Sequence, residues 1–228
     1  MGCPPRFPFQ PPGVTGLRKK AQACMRFPVG RTTSSTLSVG DNLDVQQLGF
    51  GTWAWGNKLL WGYDEDSDRT LQQAFDSVCT PSGPFDQRKY FFDTGDSYGT
   101  GALEGRAESL LGSFRRASPR PESCVIGTKL AVYPNRITGE SFENACRASL
   151  QRMGRDQIEI VQAHWSAQNF QPWQEPALWD GLARCYEAGL AQSVGTSNFG
   201  PKQCVRRQPT PTAHSWAAWP APRPCYAR

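Results

Sequence analysis

Four side chains that can carry or move a proton each lie at or just beyond the end of an apolar run. Asp93 ends one such run, and Tyr98 follows it five residues later. Lys129 directly follows the run VIGT, and His164 directly follows the run IVQA. A buried ammonium is costly without a partner, so a lysine at the end of an apolar strand predicts a carboxylate nearby. The four side chains therefore predict one site for proton transfer.

These side chains are suited to the reduction of a carbonyl group. Hydride attack on the carbonyl carbon must be matched by a proton given to the oxygen, and Tyr98 would be that donor. A free phenol titrates near pH ~10, and an ammonium from Lys129 would lower this pKa. Asp93 would pair with Lys129, and His164 would hydrogen-bond the substrate oxygen or relay the proton. The alternative is structural: an ion pair in the core and a histidine with satisfied hydrogen bonds.

The elements that must position these residues alternate in type. Short apolar runs and longer helical periods are typical of βα units stacked into a parallel sheet. The predicted strands are residues 45–52, 89–93, 123–128, 158–162 and 191–196, and the predicted helices are 66–78, 104–116, 142–153 and 176–186. Polar residues follow the strands at intervals of 33 to 41 residues, namely Thr52, Asp93, Lys129, His164, and Ser197 with Asn198. The carboxyl ends of the strands of a (β/α)8 barrel share one mouth, so we expect these side chains to converge there.

Composition excludes several classes of protein. With 228 residues the chain has the length of one domain, and no apolar run approaches the roughly 18 residues that a membrane span needs. The net charge of +5 comes from the first 40 residues, which hold six basic residues and no acidic one. The remainder holds 19 basic and 20 acidic residues. Nucleic acid is therefore not expected as a partner.

A metal site is not expected from the cysteines and histidines. The eight cysteines are scattered without a C-x-x-C pair, and the chain has two histidines. Neither pattern is that of a zinc site. We favour reduced, partly buried thiols in a reducing compartment over the disulfide framework of a secreted protein.

Both ends of the chain differ in composition from the middle. Residues 1–40 are rich in Arg, Ser, Thr and Pro and lack both acidic residues and the apolar core of a signal peptide, which predicts an organelle transit peptide. The alternative is a disordered basic tail. Residues 201–228 hold six prolines and no helical or strand period, which predicts an unstructured tail. The predicted folded domain is thus 41–200.

Five short motifs resemble, in order, those of the aldo-keto reductase superfamily: GFGTW at 49–53, DTGDSYG at 93–99, TK at 128–129, HW at 164–165 and GTSNF at 195–199. The resemblance runs from about residue 45 to 200 and is greatest for plastid-targeted members of plants and algae. It implies a TIM (β/α)8-type barrel, NADPH as cofactor without a metal, and a small aldehyde or ketone as substrate. It also implies that Asp93, Tyr98, Lys129 and His164 form the catalytic tetrad.

The resemblance further implies where a cofactor would bind. In the family, the residues that match Ser197 and Asn198 bind the nicotinamide carboxamide. Thr52 and Trp53 match the family's first loop, which lies beside the nicotinamide and the substrate. Together with the acid-free leader, the resemblance implies a location in the chloroplast.

A glycine-rich turn after Tyr98 superficially resembles a phosphate-binding loop. Its glycines, Gly99, Gly101 and Gly105, have the spacing G-x-G-x-x-x-G, whereas a Rossmann loop has G-x-G-x-x-G. A flexible loop explains them as well, so we predict no dinucleotide site here.

The pattern supplies about five of the eight βα units of a family barrel before it ends near Gly200. The chain is therefore expected to be truncated at its C-terminus, and the open edges of its sheet invite pairing with a partner chain. Two functions remain open at this stage. One is an NADPH-dependent reductase, active if the chain is longer or if a partner completes the barrel. The other is a catalytically silent partial barrel that acts as a binding module or has no function.

Overall fold

The fold is known from a computed structural model, which describes residues 36–39, 43–81, 83, 85–200 and 203. The strands are β1 (Thr36–Val39), β2 (Leu43–Gln46), β3 (Gly49–Gly51), β4 (Tyr90–Asp93), β5 (Cys124–Leu130), β6 (Ile158–Ala163) and β7 (Ala191–Thr196). The α-helices are α1 (Lys58–Trp61), α2 (Asp68–Cys79), α3 (Arg106–Ala117), α4 (Gly139–Met153) and α5 (Glu175–Glu187).

Five strands form one parallel sheet in the order β3-β4-β5-β6-β7. Each strand lies next to the one that precedes it in the chain, and α2 to α5 form the four crossovers. A sequential order is typical of a barrel, whereas the order of a doubly wound sheet reverses at a switch point. The predicted α/β architecture, with about five of the eight units of a TIM barrel, is confirmed.

The four predicted helices form, and the residues at their ends explain where they begin and end. At the start of α4 the hydroxyl of Thr138 accepts from the Ser141 N–H at 3.2 Å, and the Ser141 hydroxyl accepts from the Thr138 N–H at 3.3 Å, which is a capping box. The helix ends at Gly154, whose φ of 63° is the left-handed conformation that glycine favours. In α5, Pro176 lies in the first turn, where its missing N–H has no intrahelical partner to lose.

The first predicted strand, residues 45–52, is wrong as a single element. Two strands share this stretch, because β2 pairs antiparallel with β1 and only β3 joins the parallel sheet. Leu48, which lies between them, is 69 % exposed. Leu43 and Val45 of β2 pack in one apolar cluster, and Phe50 of β3 packs against another. The chain bends between the two strands so that each can reach its own cluster. The strand β1 also lies within residues 1–40, so part of the stretch predicted to be a leader forms a hairpin.

The two faces of the parallel sheet pack against different partners. On one face, Ile126 and Val161 belong to the large core shared with the helices. On the other face, Val125 and Ile160 are covered by the β1–β2 hairpin. Side chains alternate along a strand, so Lys129 lies on the same face as Val125, nearer the carboxyl end of β5. The hairpin covers the amino end of this face, and the predicted site lies at its carboxyl end.

Several predictions concern features that the described residues show only in part. Within them, no helix is long and apolar enough to cross a membrane, and no three His, Cys, Asp or Glu side chains are grouped so as to hold a metal ion. Cys79, Cys124, Cys146 and Cys185 are buried free thiols, as predicted. The other four cysteines, residues 1–35 of the predicted leader and residues 204–228 of the predicted tail lie outside the described residues.

Candidate active site

An ion pair between neighbouring strands forms the base of the site. Lys129 Nζ donates to Asp93 Oδ1 at 2.6 Å and to the carbonyl oxygen of Thr94 at 2.6 Å. The Lys129 side chain is 5 % exposed and that of Asp93 is 24 % exposed. The carboxylate and the carbonyl oxygen offset the cost of removing the ammonium from water. The carboxylate expected beside the lysine is thus Asp93, although Lys129 lies within β5 and not beyond its end as predicted.

Tyr98 lies in the loop after β4 with its buried ring beside Lys129. The loop turns tightly, because the Tyr98 N–H donates to the carbonyl oxygen of Gly95 at 3.0 Å. A Cβ at Gly95 would lie 3.2 Å from the Tyr98 ring, so the glycine allows the ring to lie against the backbone. Lys129 Nζ is 4.8 Å from the centre of that ring, within the range of a cation–π contact. The Lys129 ammonium therefore lies against the ring of the Tyr98 phenol.

His164 directly follows β6, and its ring packs against that of Tyr98. The two rings meet edge to face with their centroids 5.7 Å apart, and the Trp165 ring packs on His164 at 4.6 Å. The backbone N–H of His164 donates to the carbonyl oxygen of Leu130 at 3.0 Å. Burial, and to a lesser extent the positive charge of Lys129, lowers the pKa of His164 from 6.5 to about 4. The imidazole is therefore neutral at pH 7.

Three of the residues predicted to contact a cofactor lie at the carboxyl ends of β3 and β7. Thr52 is fully buried, and both its N–H and its hydroxyl donate to the carbonyl oxygen of Asp93, at 2.9 and 3.0 Å. Asn198 Nδ2 donates to the carbonyl oxygen of His164 at 2.9 Å. The φ of Asn198 is 58°, a left-handed conformation that asparagine tolerates. The Ser197 N–H donates to a carbonyl oxygen of β6 at 2.8 Å, so all three residues are tied to strands that carry the titratable groups.

Trp53, the fourth of these residues, lies one position beyond Thr52 and is 51 % exposed. Its ring meets that of Trp61 in α1 edge to face, with the centroids 5.9 Å apart. The loop after β3 therefore presents an exposed aromatic pair next to Thr52, which is hydrogen-bonded to the backbone of Asp93.

The glycine-rich loop after Tyr98 is explained by its backbone conformation. Gly99, Gly101 and Gly105 have φ values of 130°, 56° and 77°, a region that residues with a side chain rarely adopt. A Cβ at Gly105 would also lie 2.6 Å from Cδ of Arg152. The path of the chain at these three positions therefore accounts for the glycines, and the absence of a dinucleotide site stays a prediction.

The four titratable side chains predicted from the sequence lie together in the structure. Two residues of the Tyr98 loop were not predicted to take part: Gly95, which lies against the ring, and Ser97, whose Oγ is 3.3 Å from His164 Nδ1. Small residues in a loop have no periodic signal. The position of Ser97 directly before Tyr98 is the one sequence feature that could have drawn attention to it.

A model of the aldo/keto reductase family matches residues 47–217, well over half of the chain. The chain belongs to the aldo/keto reductase family. The matched range includes every strand of the parallel sheet and all four titratable residues of the site, in agreement with the resemblance of the motifs.

Curated aldo-keto reductases and related proteins align with most of this chain but with only part of their own length. The chloroplastic pyridoxal reductase of Arabidopsis thaliana is 49 % identical over 168 residues, which is 72 % of this chain and 44 % of that protein. An aldo-keto reductase of Mycolicibacterium smegmatis is 37 % identical over 165 residues, which is 72 % of this chain and 48 % of that protein. The chain spans about half the length of the curated relatives it matches.

Solved structures of the family share the fold. An aldo/keto reductase from Klebsiella pneumoniae, crystallised with NADP and acetate, superposes with a TM-score of 0.59 at 20 % sequence identity. The match covers 75 % of this chain and 52 % of that protein. The five-stranded sheet thus corresponds to about half of a family barrel.

Proposed function

We propose that this aldo/keto reductase chain carries the catalytic centre of an NADPH-dependent oxidoreductase that reduces an aldehyde or ketone to an alcohol. One observation carries the proposal. Lys129 Nζ lies 2.6 Å from Asp93 Oδ1 and 4.8 Å from the centre of the Tyr98 ring, while the His164 ring meets the same tyrosine. A buried ammonium that contacts a phenol ring as well as its carboxylate supports a proton-transfer role over a purely structural ion pair.

In this proposal each side chain of the tetrad has a separate task. Tyr98 donates its hydroxyl proton to the oxygen of the substrate as that oxygen becomes an alkoxide. Lys129 stabilises the negative charge left on the phenol oxygen, and Asp93 holds the ammonium in place. His164 is neutral at pH 7, so it can orient the carbonyl by a hydrogen bond without competing with Lys129 for the role of cation.

The residues present suit the amide end of a nicotinamide cofactor. A bound NADPH would supply the hydride. Ser197 and Asn198 would hold the carboxamide, because a hydroxyl and an amide oxygen complement its N–H and C=O groups. Thr52 keeps the end of β3 fixed to Asp93, and Trp53 lies next to it on the exposed side. Trp53 would flank the nicotinamide and the substrate, and the fully buried Thr52 would hold the loop that carries Trp53.

A more specific proposal for the substrate is pyridoxal, whose aldehyde would become the alcohol of pyridoxine. The 49 % identity with a protein named pyridoxal reductase supports this choice. The aromatic residues Trp53 and Trp165, close to the ends of two strands, are suited to pack against a flat heteroaromatic ring.

The name of that chloroplastic relative and the acid-free leader also support a plastid location. A fusion of residues 1–60 to a fluorescent protein should accumulate in plastids. A cytosolic signal from that fusion would contradict the proposal.

The open edges of β3 and β7 support a further proposal, that additional polypeptide covers them. Each strand has a single neighbour within the described sheet, and an edge strand is a template on which another strand can pair. The polypeptide would be either the remainder of a longer chain or a partner chain. Intact mass spectrometry of the endogenous protein separates the two, because a mass well above 25.3 kDa indicates a longer chain. Without such cover the alternative function, a silent binding module, gains support.

The experiment that tests the proposed function follows NADPH oxidation at 340 nm with the 228-residue chain and a panel of aldehydes that includes pyridoxal. Tyr98→Phe removes only the phenolic oxygen and should reduce turnover by at least ~100-fold, the usual size of a lost general acid. Tyr186→Phe makes the same chemical change on α5 and should leave turnover unchanged. Equal activity of wild type and Tyr98→Phe would refute the role of Tyr98. A lack of turnover at millimolar NADPH would favour the silent module for this polypeptide.

A further inference from the structure

Ser97 directly precedes Tyr98 in the sequence. Its hydroxyl oxygen lies 3.3 Å from Nδ1 of His164. We propose that Ser97 is a positioning residue whose hydroxyl donates to His164 Nδ1 and thereby keeps the imidazole proton on Nε2. This inference rests on the proposed function, because the purpose of the arrangement is to present an N–H donor to the carbonyl oxygen.

The His164 ring is uncharged at neutral pH. A neutral imidazole has one N–H, and the hydrogen bond at one nitrogen decides which nitrogen carries it. The nearby ammonium of Lys129 and the burial of the ring keep His164 neutral at pH 7. Without a partner at Nδ1, both neutral tautomers would be populated, and only one of them could donate from Nε2.

The direction of the hydrogen bond depends on which acceptor is available to the hydroxyl proton of Ser97. If Ser97 donates to Nδ1, its proton has an acceptor. If Nδ1–H donated to Ser97, the hydroxyl proton would be left to water, because the described residues offer the partly buried Ser97 no side-chain hydrogen bond other than that with His164. Donation from Ser97 is the direction that satisfies both groups within the protein, and it leaves Nε2 as the protonated nitrogen.

The backbone on the serine side of this contact is held firmly. The N–H of Asp96 donates to the carbonyl oxygen of Lys129 at 3.0 Å. The buried carboxylate of Asp96 accepts from the Ala131 N–H at 2.9 Å and from Arg136 Nη1 at 2.6 Å. Ser97, the next residue, is thus fixed relative to the end of β5.

The backbone on the histidine side is held by the same strand. The backbone N–H of His164 donates to the carbonyl oxygen of Leu130 in β5, and the backbone carbonyl oxygen of His164 accepts from Asn198 Nδ2 at 2.9 Å. Both partners of the Ser97–His164 contact are therefore anchored to β5. Because both backbones are hydrogen-bonded to the same strand, the fold holds Ser97 and His164 close to each other.

The direct test is the tautomer of His164 in the 228-residue chain, measured near pH 7.5 by long-range ¹H–¹⁵N NMR on ¹⁵N-histidine-labelled protein. The chain has two histidines, so a His214→Gln variant assigns the signal of His164. We expect the Nε2–H tautomer in the wild type, a mixture in Ser97→Ala, and restoration in Ser97→Thr, which retains the hydroxyl. Ser77→Ala, an exposed serine on α2, is the matched control and should not change the spectrum.

An Nδ1–H tautomer in the wild type, or an unchanged Nε2–H tautomer in Ser97→Ala, would overturn the proposal. This measurement needs no turnover, so its result is independent of whether the chain is an active reductase. With an active chain, Ser97→Ala should also lower kcat by roughly tenfold or more while the KM for NADPH stays the same, and Ser97→Thr should recover most of the loss.

Discussion

The histidine of the site makes folding stability depend on pH in a way that can be calculated. Its pKa is lowered from 6.5 to about 4 in the folded state, chiefly by burial. The unfolded chain therefore binds a proton below pH ~6.5 while the folded chain resists it, so stability is present above that pH and is lost as the pH falls towards about 4. At about 1.36 kcal/mol per pH unit, the loss between pH 7.5 and 5.0 is about 2 kcal/mol. Partial solvent access to the ring reduces this to about 1–2 kcal/mol.

The assay is urea unfolding, followed by far-UV circular dichroism, of wild type and His164→Gln at both pH values. Carboxylates also titrate in this range, so the informative quantity is the difference between the two proteins. The wild type should lose about 1–2 kcal/mol more than His164→Gln on going from pH 7.5 to 5.0. Identical pH dependence of the two proteins would refute the idea that His164 is kept neutral by burial beside Lys129.

Two further predictions concern the packing around the site. Asp93→Asn should destabilise the protein by about 2–3 kcal/mol, because it leaves the 5 % exposed ammonium of Lys129 without a carboxylate, whereas Lys129→Met should cost only about 1 kcal/mol, since the carboxylate of Asp93 can reach water. Urea melts that gave the opposite order would contradict this asymmetry. Gly112→Ala should cost about 1–3 kcal/mol, although alanine is the better helix former, because its Cβ would lie 2.5 Å from the carbonyl oxygen of Met153. Ser113→Ala is the neighbouring control, and equal unfolding midpoints for these two variants would show that α3 can move away from α4.

The sequence was most informative where apolar runs are bounded by turn residues. The strand predicted at residues 191–196 has the bounds that the structure gives to β7, because a glycine precedes it and polar residues follow it. The prediction at 45–52 was wrong because two consecutive strands share one alternating pattern, and the pattern does not record the bend between them. Helix α1 was not predicted, because four residues are too few to establish a helical period.

The candidate site could be predicted from strand-end positions because charged and phenolic side chains are conspicuous beside apolar runs. The pairing of Lys129 with Asp93 follows from the cost of a buried ammonium, and the structure confirms it. The contribution of Gly95 and Ser97 could not be predicted, because it depends on distances of about 3 Å within one loop. Such distances are determined by the fold as a whole and leave no spacing pattern in the sequence.

Reduction of a carbonyl by NADPH through Tyr98 would transfer a hydride from nicotinamide C4 to the substrate, and an isotope label on that hydride can be followed into the product. The 228-residue chain is incubated with pyridoxal and NADPH doubly deuterated at nicotinamide C4, and the alcohol is analysed by mass spectrometry. We expect an alcohol that carries one deuterium with wild type and with Tyr186→Phe, and at most ~1 % as much with Tyr98→Phe. Absence of deuterated alcohol with the wild type, or an equal amount with Tyr98→Phe, would contradict it.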